Sequence, residues 1–305
     1  MKITKTSSES NERIHVKENG QILLTVAPLF GAKLSLLKLK ANDEWYDVLW
    51  ETTDDDLENN TWYKQSILFP YPNRLKDGKY TFNGVSYQFP INEAEKQNQL
   101  HGLLYNEPFE LVEAKVEEGI AIISLKYVEK GQKSYYPFAY DFTVTYRYSG
   151  DKLETSFGVT NKGASAMPFG IGWHPYFQIN DLPKSKTRFE AGKAEAIELV
   201  PPRSLPTGKR TSVDSLDFDL SNVALDDAFL LTDDLSYRLQ VKEGPALCFE
   251  CGEGFDYLQV FTPEGEESIA IEPMTCNVNA FNNEEGLRVL APADSFQVSV
   301  VMSVS

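Results

Sequence analysis

Hydrophobic and polar positions alternate with a period of two along much of this chain. Phe142, Val144, Tyr146 and Tyr148 interleave with Asp141, Thr143, Thr145 and Arg147, the pattern of a strand with one buried face. Gly150-Asp151 interrupts the run, and Leu153, Thr155, Phe157 and Val159 resume it, so the two segments predict a hairpin. Asn19-Gly20 lies between Ile14-His15-Val16 and Ile22-Leu23-Leu24, and Asn83-Gly84 between Tyr80-Thr81-Phe82 and Val85-Ser86-Tyr87. Asn-Gly tolerates the two positive φ angles of a type I′ turn, which makes both pairs strong hairpin signals. Phe296–Val301 predicts a last strand.

Helical patterns are few. Asp54–Lys64 predicts a short helix and Gly192–Leu199 a helical turn. Strands do not alternate with helices, and no glycine-rich phosphate loop follows a strand. Many short strands joined by tight turns predict an all-β sandwich or barrel of mainly antiparallel strands. The proline- and charge-rich stretch Asp181–Asp219 reads as long loops. With no linker or charge break, residues 1–305 read as a single domain.

Composition narrows the partners. The 305 residues are 42% hydrophobic and 12% aromatic, enough for a packed core. Twenty-nine basic against 45 acidic residues give a net charge of −16. That balance argues against nucleic acid and anionic membranes, which need clustered Lys and Arg. The N-terminus carries no apolar leader-type run, and no apolar stretch is long enough for a membrane span. With three cysteines, a disulfide framework is not expected. These features predict a soluble, cytoplasmic protein.

Against this background the three histidines draw attention. His174 sits in Gly172-Trp173-His174-Pro175-Tyr176-Phe177 and His101 in Asn98-Gln99-Leu100-His101-Gly102. Imidazole moves protons near neutral pH, and Trp173 and Tyr176 offer flat faces suited to a sugar ring. Each histidine has an alternative reading, as part of an aromatic core corner or a turn. Glu272, in Ile269-Ala270-Ile271-Glu272-Pro273, ends an apolar strand, where burial would raise its pKa toward that of a useful base; an exposed strand-end acid is the alternative. Asn73-Arg74 follows Pro70-Tyr71-Pro72, a rigid segment able to present the guanidinium fork to a ligand or to tie down loop carbonyls. In Leu225-Asp226-Asp227, adjacent acids face opposite ways, so at most one enters a site. Cys248-Phe249-Glu250-Cys251 lacks the further ligands of a metal centre.

In this order, Asn73-Arg74 with Asp77-Gly78-Lys79-Tyr80, Asn98-Gln99-Leu100-His101-Gly102, His174-Pro175-Tyr176-Phe177, Asp226-Asp227-Ala228-Phe229 and Ile271-Glu272-Pro273 resemble the aldose 1-epimerases, or galactose mutarotases. Glu272-Pro273-Met274-Thr275-Cys276-Asn277 resembles their bacterial epimerase-like branch. The resemblance runs from about residue 70 to the C-terminus. It implies a β-supersandwich and a cofactor-independent, metal-free isomerase that opens and recloses a hexose ring at C1. It further implies Glu272 as general base, His174 as general acid, His101 and Arg74 as groups that bind the sugar near the ring oxygen and support the charge change, and Asp226 as a sugar-binding carboxylate, with Asp227 the alternative; Asn73 and, from its flat face, Trp173 are further sugar-binding candidates. The partner is then a small monosaccharide, and the protein a monomer or homodimer. Trp173 stands where galactose enzymes usually carry a polar residue, and Leu103-Leu104 replace a further glycine; both bear on sugar specificity. Lys76, Arg203, Lys209 and Arg210 are the cations available to an anionic substituent. A catalytically silent sugar-binding protein is the alternative of another class, and a hydrolase would require a second well-placed carboxylate.

Overall fold

The computed structural model describes residues 1–8 and 11–305. Its sheets are antiparallel throughout. The first, Lys2–Ser8, Asn11–Glu18, Gln21–Ala27, Lys33–Ala41 and Glu44–Asp47, is a meander in chain order. A nine-stranded sheet runs Glu110–Glu117, Ile120–Lys130, Ala139–Tyr148, Lys152–Asn161, Ser295–Val304, Ala246–Cys251, Ser236–Val241, Thr187–Ala191 and Leu216–Asp219. An eight-stranded sheet runs Leu205–Val213, Ala194–Val200, Asp226–Leu231, Tyr257–Phe261, Ile269–Met274, Gly172–His174 and Ser66–Leu68, with Tyr176–Phe177 added on Ile269–Met274. The chain is an all-β supersandwich. Among the described residues no helix is long and apolar enough to cross a membrane.

The period-two pattern explains the core. Val144 pairs with Phe157, Tyr146 with Thr155 and Tyr148 with Leu153, and all six are buried. Burying each large apolar side chain contributes about 1.5–3 kcal/mol. Two buried tyrosines reach other layers with their hydroxyls: Tyr146 donates to Ala32 O at 2.8 Å and Tyr148 to Lys38 O at 2.7 Å. These bonds tie the nine-stranded sheet to the meander. One apolar cluster extends from Ile14 to Val304.

Two expectations need correction. Gly192–Leu199 forms no helical turn; Ala194–Val200 is a strand. Asp181–Asp219 is not a run of long loops but carries four strands, Thr187–Ala191, Ala194–Val200, Leu205–Val213 and Leu216–Asp219. Leu205–Val213 and Leu216–Asp219 are the edges of their sheets, where charge and proline are tolerated because one side of the ladder is unpaired. Asp54–Lys64 divides into a helix, Asp54–Asn59, and a 3₁₀ turn, Thr61–Tyr63. Thr53 caps the helix, and Asn60 ends it in the left-handed region.

Candidate active site

The eight-stranded sheet assembles the site by register. Gly172 pairs with Met274, and extending that antiparallel ladder by two residues sets His174 opposite Glu272. Glu272 in turn pairs with Gln259, and Phe261 with Asp226. Cross-strand partners and alternate residues share a face, so His174, Glu272, Gln259, Phe261 and Asp226 project to one side. They line a cavity of about 390 Å³. Trp173 is on the other face, fully buried with its ring 6.1 Å from Phe157. The expectation that Trp173 contacts a sugar is therefore corrected: strand alternation sends it into the core. Tyr176 lines the cavity instead, stacked on His174 with ring centroids 5.0 Å apart.

Two tight loops supply the opposite wall. Asn73 has φ of 58°, and its Oδ1 accepts from the Arg74 amide at 2.9 Å. His101 has φ of 66°, and its amide donates to Asn73 O at 2.9 Å. Gly102 follows with φ of 67°, where a Cβ would run into the Phe69 carbonyl. Glycine is required there both for the angle and for the close approach. The His101 ring meets His174 edge-on at 5.0 Å and Tyr63 at 4.6 Å.

His174 Nε2 and Glu272 Oε1 lie 3.4 Å apart. Both side chains are buried, and His174 Nδ1, His101 Nδ1 and Glu272 Oε2 have no protein partner. Buried polar atoms are normally paired, so orphans converging on one cavity mark a place for a polar ligand. Burial pushes His174 down to about 3 and His101 well below the usual imidazole range, His101 also feeling His174 and Arg74. Burial, reinforced by Asp226, pushes Glu272 well above the usual carboxylate range. Both shifts run toward the uncharged forms, carboxylic acid and neutral imidazole.

Beside it runs a fixed polar chain. Asn73 Nδ2 donates to Gln259 Oε1 at 3.2 Å, and Gln259 Nε2 to Asp226 Oδ1 at 2.9 Å. Asp226, rather than Asp227, lines the cavity. Arg74 donates through Nε and Nη2 to Glu93 at 3.0–3.2 Å. Beneath the 3₁₀ turn, Lys33 donates to Asn60 Oδ1 at 2.5 Å, and burial pushes its amine down to about 7.

Sequence reasoning missed Gln259, Glu93, Lys96, Trp62, Tyr63 and Phe261, all lining residues. Gln259 had a local signal, a lone amide within apolar Tyr257-Leu258-Gln259-Val260-Phe261. The others had none. None of Lys76, Arg203, Lys209 and Arg210 lines the cavity; Arg203 is bound to Asp77, and Arg210 to Glu195 and Glu285. Among the described residues no three His, Cys, Asp or Glu side chains converge as metal ligands. Burial pushes the Cys276 thiol up to about 12.

Known proteins resemble this one in sequence and in fold. The chain is 29% identical over 234 residues, 73% of its own length and 73% of the other's, to the uncharacterized protein YihR of Escherichia coli strain K12. A galactose mutarotase-like protein from Clostridium acetobutylicum superposes with a TM-score of 0.88 at 20% identity, covering 99% of this chain and 98% of that one. Galactose 1-epimerase from Lactobacillus acidophilus NCFM superposes with a TM-score of 0.81 at 13% identity, covering 100% and 98%. The family model for aldose 1-epimerase matches residues 13–303, and the chain belongs to that family.

Proposed function

We propose that this protein is a mutarotase that interconverts the α and β anomers of a hexose by opening the ring at C1. The observation that carries the reading is the 3.4 Å approach of His174 Nε2 to Glu272 Oε1 on the wall of a sugar-sized cavity, with spare polar valences on both side chains. Glu272 as carboxylate removes the proton of the C1 hydroxyl, and His174 as imidazolium protonates O5. The C1–O5 bond breaks, leaving a C1 aldehyde and an O5 hydroxyl. Rotation about C1–C2 exposes the other face of the carbonyl. Glu272 then returns its proton to O1 while His174 takes one from O5, and the ring closes as the other anomer.

Proton count favours this cycle. The uncharged pair that both shifts favour, protonated Glu272 with neutral His174, has the protonation required for ring closure. Ring opening uses the same single proton moved to His174, so neither direction needs exchange with solvent. Each positioned proton transfer contributes about 10²–10⁴-fold. His101, edge-on to His174, supports the ring-oxygen end, and the Asn73–Gln259–Asp226 chain with Arg74 receives the remaining hydroxyls.

Polarimetry of freshly dissolved α-anomers tests the proposal. At least one aldose is expected to reach equilibrium faster with protein than in buffer. No acceleration across neutral and anionic aldoses would contradict it, and binding without acceleration would instead favour a silent sugar-binding protein.

A further inference from the structure

We propose that Arg203, which lies outside the cavity, is a positioning residue for sugar binding: from the edge hairpin of the eight-stranded sheet it fixes Glu93 through Asn98, and Glu93 in turn aims Arg74 into the cavity. The inference rests on the mutarotase reading for what the cavity holds, and it names a residue through which sugar affinity is set.

The cavity has two walls. The eight-stranded sheet carries His174, Glu272, Gln259 and Asp226, and the loops opposite carry Arg74, Glu93 and Lys96. Arg203 belongs to the first wall by sequence. Pro201-Pro202-Arg203-Ser204 joins Ala194–Val200 to Leu205–Val213, the outermost pair of that sheet. Its guanidinium reaches the second wall. Nε donates to Lys96 O at 2.9 Å, and Nη2 to Gln97 O at 2.7 Å, Asn98 Oδ1 at 3.0 Å and Asp77 Oδ1 at 2.9 Å. Lys96 and Gln97 close the 3₁₀ turn Ala94–Lys96, and carbonyls at the end of a turn lack partners within it. A planar fork of donors can serve such a set, whereas a lysine ammonium is a single point.

Asn98 carries the connection inward. It is fully buried. Its Oδ1 accepts from Arg203, so its Nδ2 is turned to Arg203 O at 3.1 Å and to Glu93 Oε2 at 2.9 Å. The reversed amide would set its oxygen against a carboxylate and its nitrogen against a guanidinium, neither of which can form a hydrogen bond. Arg203 therefore fixes which way Asn98 faces. Lys96 makes a second connection: its carbonyl accepts from Arg203, and its amine lies 3.3 Å from Glu93 Oε1. Glu93 holds Arg74 through Nε and Nη2. Nη1 of Arg74 donates to Asn73 Oδ1 at 3.4 Å, and its second N–H can meet a sugar hydroxyl.

The test is a mutant cycle on whichever of glucose, galactose and mannose wild type equilibrates fastest. KM and kcat are measured for wild type, Arg203→Gln, Glu93→Gln and the double variant. Arg203→Gln should raise KM about three- to tenfold and leave kcat within about twofold, because Arg74 is misaimed while the His174–Glu272 pair is untouched. Arg203→Lys keeps the charge beside Asp77 without the fork, so it should raise KM as well; it takes the place of Arg203→Gln in the cycle if that variant does not fold. On the Glu93→Gln background, the Arg203 substitution should add less than about twofold to KM, since the route to Arg74 is already cut. Wild-type KM in the Arg203 variants, a fall in kcat as large as the rise in KM, or effects that simply multiply in the double variant would overturn the proposal. If no sugar is turned over, calorimetric dissociation constants for the same sugars replace KM. The same non-additive pattern then supports the role of Arg203 and contradicts only the mutarotase reading, while additive effects, unchanged affinities or no binding overturn it.

Discussion

Arg74–Glu93 and His174–Glu272 each set a carboxylate against a nitrogen base in the walls of one cavity, yet their surroundings differ in every respect that matters for proton transfer. Glu93 is half-buried, but hydrogen bonds from Arg74 and Asn98 and the Lys96 charge more than offset desolvation and hold it below the usual carboxylate range. Glu272 has one contact at 3.4 Å, an oxygen with no partner, and a pKa driven upward by burial and Asp226. The first pair is saturated and locked. The second is under-bonded, with polar atoms of both side chains left unpaired. An ion pair with complete hydrogen bonding serves position, whereas strained protonation equilibria suit chemistry.

The comparison breaks most visibly by removing each carboxylate in turn. Glu272→Gln preserves shape and abolishes the proposed base, so kcat should fall about 10²–10⁴-fold, as measured by polarimetry, with an unchanged circular dichroism spectrum. Glu93→Gln should act on the fold instead. It leaves Arg74, largely buried, without its anion, and should cost about 2–3 kcal/mol in urea denaturation, below the range for a fully buried pair because some solvent reaches it. Its effect on kcat should stay within about tenfold, because in the proposed cycle Arg74 receives hydroxyls and carries no proton in flight.

pH sharpens the contrast. The proposed cycle needs one proton on the His174–Glu272 pair. A second proton arrives only as pH falls toward the His174 value of about 3, and the last leaves as pH rises through the elevated Glu272 value. The kcat/KM profile should therefore be a bell that falls at both ends. A smaller effect follows from Asp226→Asn. The Asp226 charge raises Glu272, so removing it should move the alkaline limb to lower pH and raise KM through loss of a hydroxyl acceptor. An alkaline limb that stayed in place would separate Asp226 from Glu272.

Much of this was legible in the chain because it is local. The alternation from Asp141 to Val159, the Asn19-Gly20 and Asn83-Gly84 turns, and the segments around His101, His174 and Glu272 each carry their signal within a few residues. What was not legible depends on register between distant strands. Gln259 faces Glu272 and Phe261 faces Asp226 only once the sheet is formed. Trp173 was misread because adjacency in sequence means opposite faces in a strand. The edge strands between residues 187 and 219 were hidden because an edge tolerates the prolines and charges that otherwise signal loops.

The most direct measurement is two-dimensional exchange NMR at C1 of an equilibrated aldose with wild type, Glu272→Gln and Glu93→Gln at one pH. The account predicts rapid α–β exchange with wild type, exchange near the buffer rate with Glu272→Gln, and exchange within about tenfold of wild type with Glu93→Gln. Exchange undiminished in Glu272→Gln, or lost equally in both variants, would contradict it.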